Sequence, residues 1–373
     1  MVLGSSTLED KALSALAPKN VKYRSMALKS LNHKTINRLL IRSTNWIGDA
    51  VMTTPAVRAI RKNFPNTEIY ILAKPWVVPI FENNPYVNQI VVYDSEGQHK
   101  GFIGKLRLAR DLKRLHFDAV ILLQNAFEAA LITFLAGIPC RIGYSTDGRG
   151  ALLTHSIPCT AEIKKVHQTD YYLSILRELG LITDGQALNL EVGKNDETRA
   201  REILQLQGLS PKDKWIGINP AATYGPAKQW FPDRYAELGD RIHNVFGRPV
   251  VLFGGPGDQD LGEKIAHLMQ HRLVDLSGKT TLGEAMALIK CCELFITNDS
   301  GLMHVAAALN VPLIAIFGST NPDTTGPWNP NSRIVRILTE CSPCLKPDCP
   351  ENHLNCMKQI DVDMVFQVVK EIL

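Results

Sequence analysis

The strongest constraint on how this chain folds is a repeated alternation of short apolar runs and stretches of helical periodicity, present in two series. In the first half the runs are RLLIRS (38–43), EIYILA (68–73), QIVVYD (89–94), DAVILLQ (118–124) and RIGY (141–144). In the second half they are WIGINP (215–220), VVLFGG (250–255), LVDLSG (273–278), LFITND (294–299) and PLIAIFG (312–318). Runs this apolar suit strands covered on both faces, and their alternation with helices marks parallel α/β sheets. Polar residues dominate between the series, from 183 to 213. The expectation is an α/β chain with two Rossmann-like domains facing across a cleft, residues 36–195 and 205–350. Residues 1–35 form an extension ahead of them, and 351–373 a tail and helix behind; a length of 373 residues fits about two domains. One helix is expected over about 50–63, striped by Val51, Met52, Val57, Ile60 and Phe64. Another reads HQTDYYLSILRELG, with Gly180 as its stop.

Composition narrows the function classes. The chain is 45% hydrophobic and 21% charged, and no apolar run approaches the roughly 18 residues of a membrane span. Glu9, Asp10 and Lys11 interrupt the first twenty positions, which therefore lack a signal-peptide core. A cytoplasmic protein without a transmembrane segment is expected, with no nucleic-acid partner. The net charge of +4 is unevenly spread: seven Lys or Arg residues and no acid lie between Lys19 and Arg42. That segment reads either as attracted to an anionic membrane surface or as a solvated leader.

In open α/β sheets ligands sit beyond the carboxyl ends of the strands, so the residues after each run matter most. STNWIGDAVM (43–52) places Asp49 after the first strand. It is either the cap of the following helix or a general base. At a helix start it is expected to stay ionised, because the helix dipole favours the charged form. NPAATYGPAKQWFP (219–232) carries the hydroxyl of Thr223, a flexible Gly225–Pro226 and the cation Lys228. Lys228 is either a solvated surface charge or a point charge on a diphosphate, and Asp233 is placed to cap the next helix. FGGPGDQD (253–260) is a turn that leaves a strand or meets a nucleotide. In TNDSGLMHVAAAL (297–309), Asp299, Ser300 and Gly301 open a helix bearing His304. Its free N–H groups suit a phosphate, with Gly301 admitting a bulky anion close to the backbone. The other reading is N-capping by Asp299 or Ser300, with His304 packed in the core. Neither a P-loop nor a complete dinucleotide fingerprint is present. The chemistry suggested is displacement of a phosphate leaving group with one positioned base.

Cys341, Cys344, Cys349 and Cys356 lie within sixteen residues, near His353. The CxxC spacing suits a structural zinc ion, but the later gaps do not repeat it; a disulfide or free thiols in a tight loop are the other readings.

From about Arg38 onward the sequence resembles the ADP-heptose:lipopolysaccharide heptosyltransferases, most closely the heptosyltransferase II group. The resemblance rests on LLIRSTNWIGDAVMTTPAVRAIRKNFP, ILAKPWVVPIFENNP, LLQNAFEAAL, GIPCRIGYSTDGRG, NPAATYGPAKQWFP, NDSGLMHVAAALNVPLIAIFGSTNP and the cysteine-rich tail ending in CMKQI. It implies a GT-B fold in which the N-terminal domain takes the acceptor and the C-terminal domain binds ADP-heptose. It implies inverting transfer of L-glycero-D-manno-heptose from ADP-heptose to the first heptose of a lipid A–Kdo–heptose acceptor, with no obligatory cofactor, at the cytoplasmic face of the inner membrane of a Gram-negative bacterium. By the same resemblance Asp49 is the general base, Lys228 and Thr223 lie by the donor phosphates, and Asp299, Ser300 and Gly301 hold the diphosphate and sugar, with His304 on the same helix. Lys74, Gln124 and Arg141 are candidates for the acceptor. Other readings are a relative with another nucleotide sugar or core acceptor (heptosyltransferase I or III type), or a catalytically silent nucleotide-sugar-binding protein. The sequence leaves the oligomeric state open.

Overall fold

The computed structural model describes residues 36–210 and 213–373; the basic extension 1–35, with both its readings, lies outside the described residues. The first sheet comprises β1 (Arg38–Arg42), β2 (Glu68–Ala73), β3 (Gln89–Val92), β4 (Ala119–Leu122), β5 (Cys140–Tyr144) and β6 (His155–Ile157). The second comprises β7 (Ile216–Asn219), β8 (Val250–Leu252), β9 (Leu273–Asp275), β10 (Leu294–Asn298), β11 (Leu313–Phe317) and β12 (Ser332–Arg336). Their orders are β3-β2-β1-β4-β5-β6 and β12-β11-β10-β7-β8-β9, so the same order occurs twice. All pairings are parallel; Leu40 lies opposite Tyr70 and Val120, and Ile296 opposite Ile218 and Ile314. The ten expected strands are present with slightly trimmed ends.

The helices are α1 (Ile47–Met52), α2 (Thr54–Asn63), α3 (Gly101–Arg114), α4 (Phe127–Leu135), α5 (Gln168–Glu178), α6 (Lys194–Leu206), α7 (Pro232–Phe246), α8 (Gln259–Leu268), α9 (Leu282–Cys291), α10 (Gly301–Ala308), α11 (Pro322–Thr325), α12 (Asn355–Lys358) and α13 (Val362–Ile372). The single helix expected over 50–63 is therefore two. It starts earlier, at Ile47, and breaks at Thr53, where Thr53 Oγ1 donates to the Ala50 carbonyl at 2.6 Å and Thr54 Oγ1 to that of Val51 at 2.7 Å. Pro55, with no N–H, then opens α2. Gly180 has φ +74° and ends the α5 region as expected.

The C-terminal residues are not an appended tail. Met357, Ile360, Val362, Val365 and Val369 are buried in the second core with Ile216, Trp230 and Ile316, and Trp230 Nε1 donates to the Ile360 carbonyl at 2.8 Å. Among the described residues no helix is long and apolar enough to cross a membrane.

The strand order reverses between β1 and β4 in one sheet and between β7 and β10 in the other. At such switch points the loops diverge and leave a crevice at the carboxyl ends. Asp49 follows β1, Gln124 follows β4, Lys228 follows β7 and Asp299 follows β10. The fold therefore sends four of the chemistry-bearing segments to its two crevices.

Candidate active site

Asp49 occupies the first turn of α1, whose N-cap is Trp46 without a side-chain cap bond; it does not cap α2. Its carboxylate accepts a hydrogen bond from the Tyr172 hydroxyl on α5. Burial pushes the Asp49 carboxyl up to about 6, and the nearby negative charge of Asp299 adds to this, while Lys228 and the Tyr172 bond oppose it. Asp49 is thus still mostly ionised at neutral pH, but its proton affinity is raised where the helix dipole alone would lower it. A two-turn helix has a weak dipole, and desolvation outweighs it.

Facing α1 is α10. Ser300 is its N-cap and accepts from the Met303 N–H at 3.3 Å, while Asn219 Nδ2 donates to Ser300 Oγ at 2.8 Å. Asp299 does not cap. Its Oδ2 accepts from Lys228 Nζ at 2.7 Å and from Thr320 Oγ1, just past β11, at 2.6 Å. The Lys228 and Asp299 side chains are only 14% and 5% exposed, so this is a buried pair and Lys228 is no solvated surface charge. Asn298 ties the Lys228 loop to β10: its Oδ1 accepts from the Trp230 N–H at 3.0 Å and the Tyr235 hydroxyl at 2.9 Å, and its Nδ2 donates to the Pro220 carbonyl at 2.6 Å.

Gly225, expected as a flexible point, is instead a fixed one. It has φ +155°, and a Cβ there would lie 2.4 Å from the Pro347 carbonyl oxygen. Ala227 N donates to that oxygen at 2.9 Å, and the Tyr224 hydroxyl to the Leu345 carbonyl at 2.9 Å. Lys228 Nζ rests 4.7 Å from the Tyr224 ring centre. The cysteine-rich loop is thus a brace for the Lys228 loop. The zinc expectation for Cys341, Cys344, Cys349 and Cys356 is not met: among the described residues no group of three or more His, Cys, Asp or Glu side chains is placed to hold a metal ion. All eight cysteines are free thiols, and Cys349 Sγ accepts from the Leu354 N–H at 3.4 Å.

Gly301 corrects another expectation. A Cβ on it would meet Ile47 Cβ at 3.2 Å, and one on Gly48 would meet His304 Cδ2 at 2.7 Å. These glycines let α1 and α10 touch, rather than clearing space for an anion at Gly301. His304 is buried at this contact; burial pushes its pKa down to about 4, so it is neutral, and its Nδ1 has no hydrogen-bond partner among the described residues. Thr223 is exposed on the same loop as Lys228. Asp233 lies in the first turn of α7 without capping it; Phe231 is the N-cap and Pro232 follows. In the FGGPGDQD turn, Asp258 accepts from the Gly255 N–H at 2.7 Å, closing the turn on itself.

Of the three acceptor candidates, Lys74 stands at the crevice, its ammonium 4.2 Å from the Tyr93 ring centre and 5.6 Å from that of Trp76. Burial lowers its pKa, with Arg42 adding to the effect. Gln124 follows β4, and its carbonyl accepts from the Arg149 guanidinium. Arg141 is at the wrong end of the sheet. It opens β5, donates to the Leu152 carbonyl at 2.7 Å and covers the Phe134 ring at the end of α4. Beyond the carboxyl end of β5 the cation is Arg149, which is buried and bonded to Asn125 Oδ1 at 2.9 Å. Tyr172, Thr320 and Arg149 went unnoticed in the sequence.

Two Rossmann-ordered sheets, with an acid on one crevice and a lysine-paired helix start on the other, define a GT-B type transferase. Solved structures agree. The chain superposes on the ADP-heptose lipopolysaccharide heptosyltransferase II of Escherichia coli with TM-score 0.77 and 28% identity, covering 90% of this chain and 98% of that one. It superposes on a family 9 glycosyl transferase of Veillonella parvula with TM-score 0.82 and 25% identity, covering 92% and 98%. The description "Glycosyltransferase family 9 (heptosyltransferase)" matches residues 105–355. Lipopolysaccharide heptosyltransferase 2 of Escherichia coli K12 is 31% identical over 348 residues, covering 90% of this chain and 98% of the relative. Lipooligosaccharide heptosyltransferase 2 of Haemophilus influenzae is 30% identical over 355 residues, covering 90% and 99%. The chain belongs to glycosyltransferase family 9.

Proposed function

We propose that this chain transfers L-glycero-D-manno-heptose from ADP-heptose to the first heptose of the lipopolysaccharide inner core, with inversion. The observation that carries this reading is the carboxylate of Asp49, raised in proton affinity, within electrostatic reach of the Lys228–Asp299 pair at the start of α10. The acceptor hydroxyl oxygen attacks the anomeric carbon from the N-terminal side, and Asp49 takes its proton. The bond from that carbon to the diphosphate oxygen breaks, and ADP departs with its charge met by Lys228 and the N–H groups of α10. Asp299 and Thr320 hold Lys228 in place, and Ser300 fixes the start of α10 on the donor side. The N-terminal domain takes the acceptor, with Lys74 and the Gln124 loop at the anionic core sugars. The scheme draws its charge stabilisation from these groups and requires no metal ion. The chain works as a peripheral protein at the cytoplasmic face of the inner membrane, where such an acceptor is anchored.

The test is turnover. ADP-heptose mixed with a core acceptor ending in one heptose should release ADP and add one heptose to the acceptor mass. No ADP above the acceptor-free control would sink the assignment; release with a different nucleotide sugar alone would replace the donor.

A further inference from the structure

The outer face of α3 carries three large apolar side chains that nothing in the described residues covers: Phe102 is 69% exposed and Ile103 74%, with Leu106 a turn further on. Helical spacing brings Arg107, Arg110 and Arg114 onto the same arc. From 100 to 114 the sequence holds six Lys or Arg residues against one acid, Asp111. The first turn of α3 follows the carboxyl end of β3, so its apolar residues lie at the crevice end of the sheet.

A continuous chain of contacts runs from this helix to the catalytic turn. Lys105 pairs with Glu128 at 2.6 Å, and Glu128 accepts from the Tyr93 hydroxyl at 2.5 Å. Tyr93 lies under Lys74, which also faces Trp76. Trp76 Nε1 donates to the Asn45 carbonyl at 2.8 Å, next to the exposed Trp46 and four residues before Asp49. The patch is therefore a rim of the acceptor crevice, apolar and aromatic at its edge, with cations behind it.

We infer that this rim, centred on Phe102, Ile103 and Leu106 of α3, docks the N-terminal domain on an anionic phospholipid bilayer. Apolar side chains beside Lys and Arg on one helix face insert at the headgroup boundary while the cations meet the lipid charge, and indole rings favour the same depth. A second copy of the chain is the poorer occupant, because two-fold pairing would set one cationic face against its twin. The inference rests on the reading above only in taking the acceptor to be membrane-borne. Docking by this rim would hold the acceptor crevice against the surface that carries a lipid-anchored sugar.

The experiment is vesicle flotation of the full chain, with gel filtration and ADP release alongside. Vesicles of phosphatidylglycerol and phosphatidylethanolamine should carry the protein up, and phosphatidylcholine vesicles should not. The Phe102→Ser/Ile103→Ser variant should lose about tenfold in partitioning, and Arg107→Glu/Arg110→Glu a similar factor that shrinks at high salt. Both variants should keep parental ADP release with a deacylated, water-soluble acceptor. Parental flotation by both variants would overturn the inference and leave binding to another segment. So would a parent that does not float, or a parental dimer that becomes a monomer in the serine variant, which assigns the face to a second copy. Flotation without any ADP release would refute the proposed activity and leave the docking face standing.

Discussion

Asp49 and Asp299 are the same side chain, each placed beside a switch point, and the protein sets them in opposite conditions. Asp299 is held by a buried lysine and a threonine hydroxyl, both under 3 Å away. Asp49 has one tyrosine hydroxyl and a more distant share of the lysine charge, and burial pushes its carboxyl up to about 6. An acid given a close cation becomes a fixed anchor. An acid denied one keeps its affinity for a proton, which is what a general base needs. The lesson is that role follows from the neighbours and not from the residue type or its place in the fold.

That contrast breaks most sharply at Asp49. Asp49→Asn should lower kcat by about a thousandfold with donor affinity nearly unchanged, measured as ADP release and by donor titration; a loss under tenfold would remove the distinction between the two acids. Lys228→Met attacks the other side. It strands a buried carboxylate and should lower unfolding stability by about 3 kcal/mol in urea melts, besides weakening donor binding. Asp49→Asn should instead stabilise the fold, by about 1–2 kcal/mol at pH 8. The sign follows from linkage: a carboxyl at about 6 in the fold, against 3.8 for the ordinary group, binds protons more tightly folded than unfolded. Its ionised form therefore costs stability above pH 6, and the gap between variant and parent should close as pH falls toward 4. The rate should show the same group, with kcat/KM dropping as pH falls through about 6. Tyr172→Phe removes a bond to the ionised form and should move that limb upward by about half a unit.

The two sheets were legible because ten strands are nearly continuous apolar runs. The missed ones, β6 (HSI) and β12 (SRIVR), are edge strands with half-exposed polar residues, so no burial pattern announces them. Asp49, Lys228 and Asp299 were legible as polar residues just past strands. Tyr172 was not, because a tyrosine on an amphipathic helix reads as core, and only the packing of α5 turns its hydroxyl to Asp49. Thr320 was hidden among the turn residues after β11. Arg141 misled because its number places it in the right strand while its register places it at the wrong end. The cysteines suggested a metal, but the loop they sit in spends its backbone carbonyls holding the Lys228 loop.

The meeting of α1 and α10 at Gly48 and Gly301 sets a tolerance for the whole enzyme. With His304 packed against the bare α-carbon of Gly48 and Ile47 against that of Gly301, there is no room at Gly48 for a Cβ, which would lie 2.7 Å from His304 Cδ2. A methyl group at Gly48 acts as a shim: it wedges α1 and α10 apart beside Asp49, without touching Asp49, Lys228 or Asp299.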